Sequence, residues 1–514
     1  MDLLTSRLLL WTISLLLLTS CKDGTQPSSN PTPPNIIYIL ADDLGYGELG
    51  SYGQTKIKTP NLDQLAKEGM RFTQHYSGAP VCAPARCVLL TGKHPGHAYI
   101  RGNDEYGKRE DVWDFAKVEK DPNLEGQRPI PDSTVTVGKL LQKAGYKTAC
   151  VGKWGLGGPL TEGAPHLQGF DLFYGYNCQR QAHTYYPTHL WKNDQRVELD
   201  NELLAPHTRL EEGQDTLDKT NYDAFTLHDY APKLMLEEAL GFMESNKEQS
   251  FFLYFASPIP HLPLQAPEEW VENYRQEWGD EPPYTGRSGY FPSYSPKATY
   301  AAMITYLDDQ VGQLVAKLKE LGLYENTLII FSSDNGPSYT GGTDTPFFHS
   351  GGPFRCEYGY GKGFVHEGGI RVPMIASWPG MITPGTESNH PSAFWDVLPT
   401  LCEVAGQPIP GDTDGISFLP TLTGKSPQPK HDYLYWEFPA YGGQQAVRQG
   451  KWKAIRKDIQ KGNLEIELYN LEEDIQESNN IAVENPGIVA KMEAIMEEAH
   501  RPSDVEKFRL KGVD

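Results

Sequence analysis

Four short β-rich runs in this chain stop on residues that carry charge or a ring nitrogen, and that arrangement narrows the folds open to it. Ile36-Ile37-Tyr38-Ile39-Leu40 stops at Asp42-Asp43, and Thr148-Ala149-Cys150-Val151 stops at Gly152-Lys153. Phe251-Phe252-Leu253-Tyr254-Phe255 leads through Pro258 to Pro260-His261, and Thr327-Leu328-Ile329-Ile330-Phe331 leads to Asp334-Asn335-Gly336. Continuous apolar runs of this length suit strands buried on both faces, as in a parallel sheet. Helical patterns lie between them. The clearest runs from about Ala298 to Leu321, with Met303, Leu307, Leu314 and Leu318 on one face and Gly322 as its stop. Leu62, Leu65 and Ala66 before Gly69 mark another, and Val137 to Ala144 before Gly145 a third. The alternation predicts an α/β fold with a large mixed, mostly parallel sheet flanked by helices. Ligands of open α/β sheets gather outside the carboxyl ends of the strands. Asp42, Asp43, Lys153, His261, Asp334 and Asn335 are therefore expected at one edge. Asp-Asn-Gly alone is a turn more often than a ligand, but four polar strand ends together are not explained as turns.

The pattern changes near His431. Tyr433 to Phe438, Ala446 to Arg448, Trp452 to Arg456 and Ile466 to Tyr469 read as short strands joined by tight turns. Pro486 to His500 follows as an amphipathic helix with Ile488, Met492 and Ile495 on its apolar face. The chain thus divides into an α/β domain over 35–430 and a smaller C-terminal antiparallel sheet plus helix over 431–514. At the other end, Arg7, the apolar stretch Leu8 to Leu18 and the small residues before Cys21 read as a signal peptide over 1–20. Leu18-Thr19-Ser20-Cys21 resembles a bacterial lipoprotein box, which would make a lipidated Cys21 the mature N-terminus; plain secretion with cleavage near Ser20 is the alternative. Residues 21–34 form a Pro/Ser-rich tether with nothing to bury. The expectation is an exported protein of the bacterial cell envelope, attached to membrane only through an N-terminal lipid.

The formal net charge of −21, without any basic tract, excludes nucleic acid as a partner. The same field repels anionic substrates, so an anion site here requires a local concentration of cations or metal. The seven cysteines show neither paired nor zinc spacing. Leu422-Thr423-Gly424-Lys425-Ser426 ends like a P-loop but has Leu419 where its first glycine belongs, and His366-Glu367 lacks a second histidine at the zincin spacing. No Gly-x-Ser-x-Gly elbow is present.

Cys82-Ala83-Pro84-Ala85-Arg86, followed by Thr91-Gly92, is the most specific motif. Alone it also admits a short Cys82–Cys87 disulfide or a buried thiol. With its context it resembles the signature of the formylglycine-dependent sulfatases, members of the alkaline-phosphatase-like superfamily. Gly361-Lys362-Gly363, running on to Glu367-Gly368-Gly369-Ile370-Arg371, is similar to that family's Gly-Lys-Gly run. Gly152-Lys153-Trp154-Gly155-Leu156-Gly157 and Asp171-Leu172-Phe173-Tyr174-Gly175 also resemble family segments, in family order, so the likeness covers nearly all of Asn35 to His500.

The resemblance implies that a maturation enzyme oxidises Cys82 to formylglycine. The hydrated aldehyde offers one oxygen to attack sulfur and a second hydroxyl whose deprotonation expels the sulfate. Asp42, Asp43, Asp334 and Asn335 form an all-oxygen set, which favours Ca²⁺ or Mg²⁺ over zinc. The family points to Ca²⁺, ahead of Mg²⁺, completed by the modified Cys82. Arg86, Lys153, His261 and Lys362 supply positive charge, and His261, with an ordinary pKa of about 6.5, suits the general acid.

Two positions depart from the pattern. Ala85 replaces a serine, while the proline and arginine read in maturation remain. Gly155 stands where the family has the histidine that takes the later proton. A histidine of Gln181-Ala182-His183-Thr184-Tyr185-Tyr186-Pro187 is expected to fill that gap, His183 ahead of His189. His94 and His97 either face substrate or sit at the surface, and the aromatic stretch Phe173 to Tyr186 is either core or a sugar platform. The function expected is hydrolysis of sulfate esters on a sulfated carbohydrate. The rival readings are a phosphodiesterase or phosphonate hydrolase of the same superfold, and an inactive glycan-binding lipoprotein that Gly155 keeps open.

Overall fold

Ile36 and Ile37 point to opposite faces of one strand, and each face is buried in a different core. A computed structural model describes residues 33–105 and 110–514. The segment read as a signal peptide, Cys21, and the tether up to residue 32 lie outside the described residues. Ile36, Tyr38 and Leu40 pack with Phe252, Tyr254, Leu328 and Ile330 on one side. Ile37, Ile39 and Ala41 pack with Leu253, Phe255, Ile329 and Phe331 on the other. This period-two split with both halves buried is what an inner parallel strand requires.

The strands of the large sheet are β1 (Asn35–Ala41), β2 (Met70–Tyr76), β3 (Lys147–Lys153), β4 (Leu172–Tyr176), β5 (His189–Lys192) and β6 (Gln195–Glu198). They continue with β7 (Phe251–Ala256), β8 (Thr327–Ser333), β9 (Arg371–Ser377), β10 (Thr386–Ser388) and β11 (Ser392–Ala393). Their order is β10-β2-β9-β8-β1-β7-β3-β4-β5-β6, with β11 also on β2. The block β8-β1-β7-β3-β4 is parallel. β9 runs antiparallel to both β8 and β2, and β5 and β6 form an antiparallel edge. The helix expected over 298–321 is Pro296–Glu320, started by its proline and ended at Leu321; it packs on the face of Ile37.

β2 and β9 were not foreseen. β9 carries Pro373, which argues against an inner strand on sequence grounds. The structure accommodates it where the β2–β9 register shifts between Phe72 and His75, so the missing N–H falls at an irregularity rather than in the ladder.

Strands β12 (Leu434–Phe438), β13 (Gln444–Gln449), β14 (Trp452–Lys457) and β15 (Ile466–Asn470) form the second, antiparallel sheet in sequence order. One face, with Tyr435, Val447, Ala454 and Leu468, is covered by Met492, Met496 and Ala499 of helix Pro486–Ala499. The other face sends Trp436, Phe438, Ala446 and Ile455 into the core of the large sheet. A buried ion network crosses the same seam. Lys453 Nζ of β14 lies 2.8 Å from Glu367 Oε1 and 2.9 Å from Glu477 Oε1. Glu367 Oε2 in turn accepts from the Tyr76 hydroxyl at 2.7 Å and from Arg371 Nη1 at 3.0 Å.

Cys82, Cys87, Cys150, Cys178, Cys356 and Cys402 are all buried free thiols, so no Cys82–Cys87 bridge is present. Among the described residues no helix is long and apolar enough to cross a membrane.

Candidate active site

Helix Cys82–Thr91 is buried all round, its first turn tolerates Pro84 because no intrahelical N–H is needed there, and Gly92 closes it in the left-handed conformation. The Cys-x-Pro-x-Arg spacing now acquires a geometric meaning. Residues four apart share a helix face, so Cys82 and Arg86 point together toward the carboxyl ends of β1, β3, β7 and β8. Cys82 stands in the first turn, where the Ala83 N–H donates to Asn103 Oδ1 at 3.1 Å and the Ala85 N–H to the Val81 carbonyl at 3.2 Å.

Asp42, Asp43, Cys82 and His261 each present a ligand atom, all within 4.8 Å of one another. Cys82 Sγ is 3.2 Å from Asp42 Oδ1 and 3.5 Å from Lys153 Nζ. Lys153 also donates to Asp42 Oδ2. Arg86 donates through Nε (3.1 Å) and Nη2 (2.8 Å) to Asp334 Oδ2, and through Nη1 to the Lys153 carbonyl. Lys362 Nζ is 2.5 Å from Asp43 Oδ2, and His261 Nε2 is 3.7 Å from the same oxygen. Asn335 Nδ2 donates to Asp43 Oδ1 at 2.7 Å. The structure thus gathers Asp42, Asp43, Cys82, Arg86, Lys153, His261, Asp334, Asn335 and Lys362 into one cluster.

Backbone features hold it there. Asp43 adopts φ 65°, unusual for a non-glycine residue, with its N–H donating to Asp334 Oδ1 at 3.2 Å. The Glu-Gly-Gly run fits because backbones touch: a Cβ on Gly336 would come 1.8 Å from the Gly368 carbonyl, and one on Gly368 1.7 Å from the Arg355 carbonyl. The Tyr185 hydroxyl, between the Pro258 and His261 carbonyls at 2.7 and 2.6 Å, anchors the loop carrying His261.

The charges are unevenly settled. Burial would raise the Asp42 carboxyl, but Lys153, His261, Arg86 and Lys362 together hold it well below the usual range. Burial pushes Asp43 up, with the Asp42 charge adding to it against the pull of Lys362. Burial and Asp42 push Asp334 up to about 7. Arg86, Lys153 and Lys362 match the three carboxylates in number, yet burial and mutual repulsion still leave Asp43 and Asp334 raised. The Asn335 Oδ1 is also buried with no hydrogen-bond partner, an acceptor that a cation would satisfy. This all-oxygen donor set, buried at the strand ends, fits a hard divalent ion.

His261 Nδ1 lies 2.6 Å from the Leu262 carbonyl, which fixes the proton on that nitrogen and turns Nε2 toward Asp43. Burial, then Lys362 and Lys153, hold its pKa well below the ordinary value. His183, in the turn Gln181–His183, stacks on the His261 ring at 5.3 Å and 16° and leaves Nδ1 buried without a partner. It therefore lies at the site, against the His261 ring and close enough to feel the Lys153 and Lys362 charges.

His189 does not. Its Nε2 is 3.0 Å from Glu125 and its Nδ1 3.6 Å from Glu119. Burial lowers its pKa, but the two carboxylates outweigh that and raise it to about 9. A raised folded pKa stabilises the protein fully below the unfolded value of about 6.5 and less as pH climbs through 9. Stability is expected to fall between these pH values, and His189→Gln to flatten that fall; urea midpoints measured across the range would read it.

At Gly155 (φ +90°) a Cβ would meet the Gln179 amide nitrogen at 2.2 Å, so Gln179 occupies the volume beside Gly155. The Gln179 and Asn177 side chains are buried with all four polar atoms unpartnered. Sequence reasoning missed both, because an amide in a loop carries no motif. His94 and His97 pack against each other (4.1 Å between centroids) and against Asp414, with Trp395 and Tyr435 around His94. Phe173, Tyr174, Tyr176, Tyr185 and Tyr186 are core residues.

Residues 34–407 match the Sulfatase family, and residues 356–501 match the C-terminal region of N-sulphoglucosamine sulphohydrolase. The chain belongs to the sulfatase family, and it is a sulfuric ester hydrolase of the alkaline-phosphatase-like fold. Arylsulfatase A of Homo sapiens is 34% identical over 82% of this chain and 74% of its own length. N-acetylgalactosamine-6-sulfatase of Rattus norvegicus is 33% identical over 78% of this chain and 67% of its own. The crystal structure of Ps i-CgsB superposes with a TM-score of 0.70 and 26% identity, covering 94% of each chain.

Proposed function

We propose that this protein hydrolyses a sulfate ester on a carbohydrate, using formylglycine made from Cys82 and a Ca²⁺ ion held by Asp42, Asp43, Asp334 and Asn335. The observation that carries the reading is the convergence of Cys82, Asp42, Asp43 and His261 within 4.8 Å. The hydrated aldehyde, when formed, supplies a nucleophilic oxygen, and the cation screens the sulfate oxygens. Arg86, fixed by Asp334, and Lys153, fixed by Asp42, place two buried positive charges beside residue 82. Lys362 adds a third from the Asp43 side. Preset cations acting on developing negative charge are worth about 2.7–4 kcal/mol per lost donor.

His261 gives its Nε2 proton to the departing alcohol. Two lysines and burial keep the ring neutral in the free protein, and an arriving sulfate offsets their charge, so the ring gains its proton as substrate binds. His183, stacked on His261 with a bare Nδ1, is the base proposed for the later proton. The relative named N-acetylgalactosamine-6-sulfatase, and the Ps i-CgsB structure in complex with k-i-k-neocarrahexaose, support a sugar as the alcohol. The sequence features at Leu8 to Leu18 and Cys21 support export as a lipid-anchored envelope protein, with residues 35–430 and 431–514 as its two folded parts.

Mass spectrometry of the peptide bearing residue 82 tests the modification: exchange of sulfur for oxygen with loss of two hydrogens is expected, and an intact thiol in protein from the native host would sink it. Chelation followed by dialysis is expected to lower the melting temperature, with Ca²⁺ restoring it better than Mg²⁺. An unchanged melting curve would remove the metal. Faster turnover of aryl phosphate than aryl sulfate esters would favour the phosphodiesterase reading.

A further inference from the structure

The three cations of the site and His261 differ in depth. Arg86 and Lys153 side chains are fully buried and His261 is 3% exposed, whereas Lys362 is 19% exposed. Lys362 therefore marks the mouth, and the alcohol part of a substrate whose sulfate lies on the floor must pass beside it. At that mouth stands a connected row of aromatic rings from three separate segments. Tyr339, just past the end of β8, meets Tyr358 edge-on at 5.8 Å; Tyr358 meets Phe364 at 5.2 Å; Phe364 meets Tyr441 at 5.3 Å. Two of these rings face solvent, Tyr358 at 69% and Tyr441 at 51% exposure. Large exposed rings grouped at the rim of a polar pocket mark a binding surface rather than a core.

Tyr441 is held in place at a cost. It lies in the turn between β12 and β13 with φ 50°, a conformation that bulky residues rarely adopt. Its ring rests on the backbone next to Lys362: a Cβ on Gly363 would come 3.0 Å from it. Gln444 on the same hairpin donates Nε2 to the Gly363 carbonyl at 2.8 Å and accepts the Val365 N–H at 3.1 Å. An observed backbone outlier that aims a side chain at an active-site mouth points to use of that side chain.

We infer that Tyr358 and Tyr441, backed by Tyr339 and Phe364, form the subsite for the pyranose ring that carries the sulfate. A pyranose offers a flat array of C–H groups to an aromatic face and hydroxyls to the phenol oxygens, and this row provides both. The inference rests on the sulfatase and sugar reading above and adds where the sugar lies.

The test compares wild-type enzyme with Tyr441→Gly, Tyr358→Ala and Tyr441→Trp. Glycine suits the positive φ at 441, so that variant is expected to fold. The substrates are N-acetylgalactosamine 6-sulfate, D-glucosamine 2-N,6-O-disulfate, a sulfated carrageenan hexasaccharide and 4-nitrophenyl sulfate. Inorganic sulfate serves as an inhibitor that reads the floor alone. Loss of either ring is expected to raise KM for the sugar substrate about tenfold, the size of one lost aromatic contact. The inhibition constant of sulfate is expected to stay within about a factor of two, because sulfate does not reach the mouth. Tyr441→Trp is expected to restore KM. An unchanged sugar KM overturns the inference, as does a rise confined to 4-nitrophenyl sulfate, which would assign the rings to an aryl group. A parallel loss of sulfate inhibition also overturns it, by showing that the rings only brace the Lys362 loop. If wild-type enzyme hydrolyses 4-nitrophenyl sulfate but none of the sugars, the sugar reading falls and the subsite with it, and that result is visible before any variant is made.

Discussion

Alanine in place of Cys82 is expected to lower sulfate release by roughly four to six orders of magnitude, the range seen when a catalytic nucleophile is removed. The physical reason is that no neighbour can take over. Asp42 and Asp43 are carboxylates aimed at the same point, and the nearest amines, Lys153 and Lys362, are held protonated by Asp42 and Asp43 with pKa values above the ordinary lysine range. Burial opposes that protonation, and the carboxylates overcome it. The thiol itself is a poor nucleophile here, since burial and then Asp42 push its pKa well above the normal value. Serine at 82 is expected to be nearly as inactive unless it too is converted. The fold should survive, because Lys153 and Arg86 still neutralise Asp42. Activity above a tenth of wild type in Cys82→Ala, with an unchanged melting curve, would end the nucleophile assignment.

The second large effect concerns stability. Lys453→Met is expected to destabilise the protein by about 3–5 kcal/mol, as removal of one partner strands buried charge. Lys453 Nζ is the fully buried cation shared by Glu367 and Glu477. Burial would raise Glu367, yet Lys453, Arg371 and Arg448 hold it well below the normal range; burial drives Glu477 up to about 7 even with Lys453 beside it. Without the lysine, Glu477 must take up a proton and Glu367 must rely on Arg371. A urea midpoint shift at constant slope measures the loss, and adding Glu477→Gln is expected to recover part of it. A midpoint equal to wild type would show that the network contributes nothing.

Much of this architecture was legible in the sequence. The four strands whose ends carry Asp42-Asp43, Lys153, His261 and Asp334-Asn335 are β1, β3, β7 and β8. They lie side by side as β8-β1-β7-β3. Their legibility came from continuous β-rich, largely apolar runs, which suit strands buried on both faces. β2 and β9 escaped because Met70–Tyr76 alternates with polar residues and β9 contains a proline. The site was legible wherever a residue type has one use at a strand end or in a helix first turn. It was not legible at Gln179, Asn177 or Tyr441, whose roles arise from what they lie against rather than from their neighbours in sequence. His189 was the weaker of two histidine candidates, and its place between Glu119 and Glu125 depended on pairing across 64 and 70 residues of chain, a separation no local pattern reports.

The hairpin turn that lays Tyr441 on Gly363 joins the C-terminal sheet to the loop that carries Lys362. A graft of residues 431–514 from a relative that favours another glycan would carry a piece of the entrance with it, leaving the sulfate floor untouched. If the rings at the mouth select the glycan, laboratory chimeras that exchange this hairpin are a direct route to new selectivity on an unaltered reaction centre.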